Sequence, residues 1–168
     1  MVTFNLMITA EVDNVSSIQP MGGCDDPNFT YYFKLKCGNC GEVTEKETYV
    51  VLGEVVPIPK SRGNANLVQK CKLCGRDGTI TMIPKSGRPL TGDDCEEGKY
   101  APMMSFDCRG LEPVAYSFGG DQWKIVTTAG TVFENVDLSD GDWADYDEKG
   151  KMPTSISNLQ SRFDVVKT

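Results

Sequence analysis

Two short cysteine motifs carry the strongest chemical signal in the sequence. Each has two cysteines three positions apart, a lysine before the first and a glycine after the second; the cysteines are Cys37, Cys40, Cys71 and Cys74. We call residues 37–41 the first hook and residues 71–75 the second hook. Four thiolates in two such pairs suit one tetrahedral zinc ion, and the trailing glycine permits the positive φ that a tight turn often needs. The sequence therefore predicts one zinc ion with these four cysteines as its metal ligands.

The chain has no histidine among its 168 residues. This excludes Ser-His-Asp and Cys-His catalysis, histidine-ligated catalytic zinc and H-E-x-x-H peptidases. A zinc ion with four cysteine ligands is coordinatively closed, because no position is left for water. We therefore expect a structural zinc site, no catalytic residues, no cofactor besides zinc, and a protein that is not an enzyme.

Three further cysteines lie outside the hooks. Cys24 falls in a loop and is expected to be an ordinary exposed or half-buried thiol, and Cys95 in a polar connector is expected to face solvent. Cys108 ends an alternating strand, where a buried structural cysteine is common, although Arg109 could instead make it a reactive thiol by lowering its pKa. We expect Arg109 to form a structural ion pair with Glu112.

The charge of the chain is unevenly distributed. The net charge of −7 argues against a general affinity for nucleic acid or anionic membrane, because both require a cationic surface. Basic residues nevertheless cluster around the hooks, and acidic residues crowd positions 137–148. The simpler interpretation is that the protein has two solvent-exposed faces of opposite charge. The more specific alternative is that the basic residues form a patch that binds one acidic partner.

The N-terminal segment and the cysteine usage bear on the compartment. The first six residues lack a basic region and a continuous apolar run, so we expect no signal peptide. No stretch approaches the roughly 18 apolar residues of a membrane span. We therefore expect a cytoplasmic protein, which could also be nuclear and is not secreted, with metal ligands and free thiols instead of disulfides.

Extended segments must position the hooks, because no window of the sequence shows a helical period. Residues 2–12 alternate without a break between apolar and polar types, which predicts a strand. Further strands are predicted at 31–36, 47–56, 67–70, 79–83, 103–108, 123–127, 131–138 and 157–166. We expect an all-β fold with two similar antiparallel halves, barrel-like or sandwich-like, and a zinc-ribbon-like four-cysteine clasp that joins two β-hairpins of the N-terminal half. Residues 1–168 would form one unit, with halves at about 1–95 and 96–168 and an internal duplication.

Trp143 and Tyr146 are expected to share a turn and pack inward, or else to form an exposed recognition surface.

The motifs at 35–42, 62–63, 68–74, 108–113 (Cys-Arg-Gly-Leu-Glu-Pro) and 142–149 (Asp-Trp-Ala-Asp-Tyr-Asp-Glu-Lys) occur together and in order. In these motifs the chain resembles the eukaryotic family of CXXC-motif-containing zinc-binding proteins, a small and largely uncharacterised family. The resemblance implies an all-β architecture of two similar halves that exchange terminal strands, and one zinc bound by the four hook cysteines. The segment after Lys149 matches only loosely. The family implies no established enzymatic activity.

Three functions fit these observations. The first is a zinc-binding, non-catalytic adaptor or protein-interaction module, monomeric, with an unidentified protein partner. The second is metal or thiol handling, as a zinc or copper(I) donor or a C-x-x-C redox protein; thiolates suit both ions, but redox motifs usually open a helix. The third is a zinc ribbon that binds single-stranded nucleic acid, which the acidic charge disfavours.

Overall fold

The computed structural model describes residues 2–119 and 122–166. Nearly every regular element is a strand, as the sequence predicts. The elements in chain order are β1 (Val2–Asp13), β2 (Val15–Pro20), β3 (Thr30–Cys37), β4 (Thr48–Val51), β5 (Val56–Pro57), β6 (Asn64–Ala65), β7 (Leu67–Lys70), β8 (Asp77–Ile83), β9 (Leu90–Thr91), α1 (Gly92–Glu96), β10 (Ala101–Arg109), β11 (Leu111–Ser117), β12 (Trp123–Thr127), β13 (Val132–Val136), β14 (Trp143–Asp147) and β15 (Met152–Val165).

The strands form curled antiparallel sheets that together make a half-barrel. A six-stranded sheet has the order β14-β15-β1-β10-β8-β7, a four-stranded sheet the order β13-β12-β2-β9, and a three-stranded sheet the order β11-β3-β4; β5 and β6 pair separately. Each of the three larger sheets contains strands from both sides of residue 95. The all-β prediction is confirmed, whereas the division into halves and the internal duplication stay predictions.

Strand β1 shows why the alternating sequence forms this structure. Its apolar side chains Phe4, Leu6, Ile8 and Ala10 are buried, while the intervening residues reach the other face. The strand pairs with β10 on one side and with β15 on the other. A central strand of this kind forms backbone hydrogen bonds on both edges and buries one of its faces. Because side chains alternate between the two faces of a strand, an apolar residue at every second position places the apolar side chains on the buried face.

The core is aromatic near the middle of the barrel. Phe106 contacts Phe33 edge-on at 5.5 Å between ring centroids and Tyr31 at 5.8 Å, and Phe29 contacts Trp123 at 5.3 Å. Edge-to-face pairs of this kind add roughly 0.5–1.5 kcal/mol each beyond the area they bury. Strand β3, which carries Phe33 and leads into the first hook, is therefore fixed from inside the molecule.

Several elements differ from the sequence-based expectation, among them α1 and β2. Residues 84–99 were expected to be a polar connector, but they contain the short helix α1. Its N-cap Thr91 forms a capping box with Asp94, whose carboxylate also takes a two-fold hydrogen bond from Arg88. A helix of five residues is too short to show a period, so only its cap reveals it. Strand β2 was not predicted, because it carries few apolar residues and follows directly on β1.

Trp143 and Tyr146 lie in strand β14, so the expected shared turn is wrong. Trp143 stacks edge-on against Phe133 at 5.1 Å, whereas Tyr146 is 52% exposed. Three positions along a strand place two side chains on opposite faces, which explains why only one of them packs inward. No helix within the described ranges is long and apolar enough to cross a membrane.

Candidate metal centre

The four hook cysteines converge on one point. Their sulfur atoms all lie within 4.8 Å of one another. The closest pairs join the two hooks: Cys37 Sγ is 3.6 Å from Cys74 Sγ, and Cys40 Sγ is 3.6 Å from Cys71 Sγ. Among the described residues this is the one group of three or more cysteine, aspartate or glutamate side chains close enough to share an ion.

The two hooks have the same backbone hydrogen bonds. The amide of Cys37 donates to the carbonyl of Glu42 at 2.8 Å, and the amide of Cys71 donates to the carbonyl of Arg76 at 2.8 Å. Within each hook the glycine amide donates back to the first cysteine's carbonyl, at 3.0 Å in the first hook and 2.9 Å in the second. The glycines adopt φ of +80° and +76°, a left-handed conformation that favours glycine. The repeated sequence pattern thus encodes a repeated turn.

A third segment, the turn between β10 and β11, holds the hooks in place. The Gly38 amide in the first hook donates to the Gly110 carbonyl at 2.9 Å. Gly110 has φ of +72°, and a Cβ built there would lie 3.2 Å from the carbonyl oxygen of Asp77, just after the second hook. Gly78 packs so closely on Leu111 that a larger residue would clash. The turn therefore contacts the backbone beside both hooks and fixes their separation.

Asn66 anchors strand β7, which leads into the second hook. Its side-chain amide donates to the carbonyls of Val51, Leu52 and Glu54, at 3.3, 3.2 and 3.0 Å. Its side-chain carbonyl accepts from the amide of Met82 at 2.7 Å. One residue thus joins β8 to the end of β4. The sequence analysis missed this role, because a single asparagine in a polar loop carries no distinguishing signal.

Backbone N–H groups stabilise negative charge on two of the sulfurs. The N–H of Arg76 lowers the pKa of Cys74 to about 6. The N–H groups of Cys40 and Asn39 lower the pKa of Cys37. These amides face the sulfurs because the turns are tight, so the hook geometry itself favours thiolates.

The pKa of a third sulfur shifts in the opposite direction. The N–H of Glu42 lowers the pKa of Cys40, but removal from water and the nearby sulfurs of Cys71, Cys37 and Cys74 outweigh it and raise this pKa to about 12. Like charges this close cannot all ionise without a counter-charge. A bound metal ion would supply that charge and keep all four sulfurs as thiolates.

The donor set fits zinc. Zn–S bonds of about 2.3 Å in a tetrahedron place neighbouring sulfurs about 3.8 Å apart, close to the 3.6 Å of the two cross-hook pairs. Cys37 is buried and Cys71 half-buried, whereas Cys40 and Cys74 are exposed. Lys36, Lys70 and Lys72 are exposed beside the cluster.

The other cysteines lie apart from the cluster. Cys24 is buried, contrary to the expectation of an exposed or half-buried thiol, and burial raises its pKa to about 11. Cys95 is partly buried against the core, so it is not the solvent-facing thiol expected. Cys108 is buried as expected, and burial raises its pKa to about 12, which opposes its use as a nucleophile. The expected ion pair of Arg109 with Glu112 is absent from the described residues, where the ion pairs involve other side chains.

The fold and the cluster define an all-β protein with a single four-cysteine site of the zinc type. Residues 5–164 match the family described as "CXXC motif containing zinc binding protein, eukaryotic". The chain belongs to this family of zinc-binding proteins.

Individual relatives extend over nearly the whole chain. The CXXC motif containing zinc binding protein of Xenopus laevis is 38% identical over 163 residues, covering 97% of this chain and 98% of the relative. The human protein of the same name is 35% identical over 158 residues, covering 94% and 95%.

Two solved structures share the fold. The crystal structure of C1orf123 superposes with a TM-score of 0.87 at 33% identity, covering 98% of this chain and 99% of that one. A hypothetical protein from Plasmodium falciparum has a TM-score of 0.80 at 24% identity, covering 99% and 100%. The second likeness concerns the fold alone.

Proposed function

We propose that this chain is a non-catalytic zinc protein in which Cys37, Cys40, Cys71 and Cys74 bind one zinc ion, and that it serves as a protein-interaction module. The observation that carries the proposal is the convergence of four sulfurs from two separate turns within 4.8 Å. Four sulfurs fill every position of a tetrahedral ion, so none is left for substrate or water. The ion would hold the two hooks together, and the surface they support would do the binding.

The energy of such a site explains what the ion would contribute. A four-cysteine zinc site supplies about 10–16 kcal/mol of apparent binding free energy, which is comparable to the whole stability of a domain. The hooks lie at the ends of β3 and β7, and their cysteines are not part of the aromatic core. We therefore infer that zinc orders the hooks while the core keeps the rest of the barrel folded.

Apolar residues exposed near the hooks support an interaction role. Leu73, at the tip of the second hook, is 68% exposed, and Val43, just after the first hook, is 43% exposed. These two residues lie in or just after the two hooks, whose sulfurs meet. Exposed apolar side chains that lie together are typical of binding sites. We propose that a monomer presents this surface to a partner protein in the cytosol or nucleus, where reducing conditions keep the sulfurs available to zinc.

Metal analysis of the purified full chain tests the proposal. We expect one zinc per chain, and fast amide exchange in residues 37–41 and 71–75 after a strong chelator removes it, with slow exchange kept in β1 and β10. The variant Cys95→Ser is the matched control and should keep its zinc. A metal-free chain whose hook amides stay as protected as in the zinc form would contradict the proposal.

A second candidate is metal handling, which the exposure of Cys40 and Cys74 favours. A donor must let an acceptor thiol reach the ion, and two of the four cysteines are exposed residues. A redox function of the C-x-x-C motifs is less well supported, because the second hook leads into strand β8 and not into a helix. Transfer of zinc to a competing chelator within seconds would favour the donor role, whereas transfer over hours would favour the structural role.

A further inference from the structure

A groove of roughly 570 Å³ lies beside the zinc-type cluster, between residues 42–48 and the end of β7. Its apolar lining residues are Leu35 and Leu111, which are buried beneath it, and Val43, which is 43% exposed. Gln69, Lys70 and Lys72 line the side formed by β7 and the second hook. The groove is therefore apolar below and polar at its rim, as recognition grooves commonly are.

Strand β7 offers this groove an open edge. It ends the six-stranded sheet, and no other strand of the described residues pairs with its outer side. The Cys71 amide donates across the hook to Arg76, on the β8 side. Because successive amides of a strand face opposite edges, the amide of Lys70 faces away from β8, towards the open side. An unpaired edge of this kind can accept an additional strand.

The charge around the groove indicates what would bind there. Residues 34–76 contain eight basic and four acidic side chains, a net charge of +4 that becomes +2 when four thiolates and one zinc ion are counted, in a chain of net charge −7. Lys70 and Lys72 line the wall that carries the open edge, whereas Glu42, Glu45 and Glu47 line the opposite wall together with Lys46. The open edge of β7 is thus cationic on an otherwise acidic protein.

We propose that this groove binds an extended acidic segment of a partner protein, which adds to the outer edge of β7 as an antiparallel or parallel strand. The inference deepens the interaction role proposed above and rests on it. Acidic side chains of the segment lie beside Lys70 and Lys72, since neighbouring strands bring opposite charges together. An apolar side chain of the segment packs on Val43, the exposed apolar residue of the lining.

The opposite wall adds selectivity. Its three glutamates repel a segment that carries acidic side chains on both sides, and so they favour one orientation of the bound strand. Zinc contributes indirectly, because the second hook continues directly from β7 and fixes the end of the open edge. The metal-loaded chain is therefore the form that binds.

Fluorescence anisotropy with labelled peptides of about eight residues, near the usual length of a strand, tests this proposal on the zinc-loaded full chain. An alternating Glu-Val peptide should bind, and its binding should weaken with added salt. Two controls should not bind: the alternating Lys-Val peptide, and a Glu-Val peptide with methylated backbone nitrogens, which cannot pair with a strand edge. In NMR spectra the Glu-Val peptide should shift the amide of Lys70 more than those of β13.

Charge reversal locates the site. K70E/K72E should weaken Glu-Val binding about tenfold, because two attractive pairs become repulsive. The matched control K60E/R62E changes the net charge equally at exposed positions that do not line the groove, and it should bind nearly as the parent does. Zinc content is measured for both variants, so that only correctly loaded chains are compared.

Several results would overturn the inference: equal weakening by both double variants, equal binding of the Lys-Val peptide, or amide shifts confined to another face. Displacement of the peptide by a single-stranded oligonucleotide would instead assign the basic surface to nucleic acid. One zinc per chain without any peptide binding would overturn this inference alone. A chain that binds no zinc would overturn the function proposed above.

Discussion

The Gly38 amide in the first hook donates a 2.9 Å hydrogen bond to the Gly110 carbonyl in the turn between β10 and β11. Seventy-two positions separate these glycines in sequence, and no cysteine lies between Gly110 and the C-terminus. The contact nevertheless sets where the first hook stands relative to the second, because the same turn also touches Asp77 and Gly78. The Cys-Arg-Gly-Leu-Glu-Pro motif is thus a support for the metal centre.

The variant Gly110→Ala tests this support. Alanine at φ of +72° costs about 1–2 kcal/mol, and its Cβ would press on the Asp77 carbonyl. We expect both a lower free energy of unfolding and a weaker zinc affinity, measured by denaturant titration and competition with a chelator.

The matched control is Gly130→Ala. Gly130 has a similar φ of +88° and lies in the turn between β12 and β13, far along the chain from the hooks. This variant should lose comparable stability while it keeps the zinc affinity of the parent. If both variants weaken zinc equally, the Gly38–Gly110 contact does not position the site.

Replacing one hook cysteine should abolish tight zinc binding. Cys71→Ser leaves three thiolates, and serine is a poor zinc ligand at neutral pH because its hydroxyl stays protonated. We expect less than one zinc per chain by elemental analysis after dialysis and a markedly lower Tm. Cys108→Ser, at a buried site outside the cluster, should lower Tm yet retain one zinc; zinc loss in that variant would mean that Cys108 belongs to the site.

Stability should fall in acid partly through Asp94. Its hydrogen bonds from Arg88 lower the pKa of this carboxyl to about 2, below its ordinary value in the unfolded chain. The resulting stabilisation is present above about pH 4 and is lost as the pH falls through about 2. Because Arg88 is half exposed, we expect only about 1 kcal/mol from this pair.

The measurement is the free energy of unfolding as a function of pH for the parent and for Asp94→Asn. The difference between them should shrink between about pH 4 and 2. Asp164→Asn removes the exposed pair with Arg162 and should leave the profile nearly unchanged. A constant difference across this range for Asp94→Asn would contradict the assignment.

Asp147 should be the structural member of the acidic run. It is fully buried and accepts hydrogen bonds from the hydroxyls of Thr127 at 2.7 Å and Thr131 at 2.6 Å, as well as from two amides of its own turn. Asp147→Ala should lower Tm clearly by thermal denaturation, because it leaves these donors without partners. Asp145→Ala, at an exposed neighbouring position, should change Tm little, and equal losses would contradict the distinction.

Some of these features could be predicted from sequence and others could not. The alternation of β1 and the boundaries of β7 and β12 are local patterns, and the structure confirms them. Helix α1 was missed because five residues are too few to show a helical period, and strand β2 was missed because it carries few apolar residues. The expectations that Cys24 is exposed or half-buried and that Tyr146 packs inward were wrong. Whether a loop cysteine or a strand aromatic is buried depends on whether a sheet packs over it, and the local sequence does not show this.

The sequence by itself determined the donor set and the turns that present it. Two C-x-x-C-G motifs specify their own hydrogen bonds and left-handed glycines, since those interactions span only a few residues. Only the tertiary structure decided that the two pairs meet within 4.8 Å, that Gly110 and Asn66 hold them there, and that β7 keeps an open edge beside lysines. Those relations depend on strand order and register, which arise when distant segments bury their apolar faces together, and no local pattern encodes them.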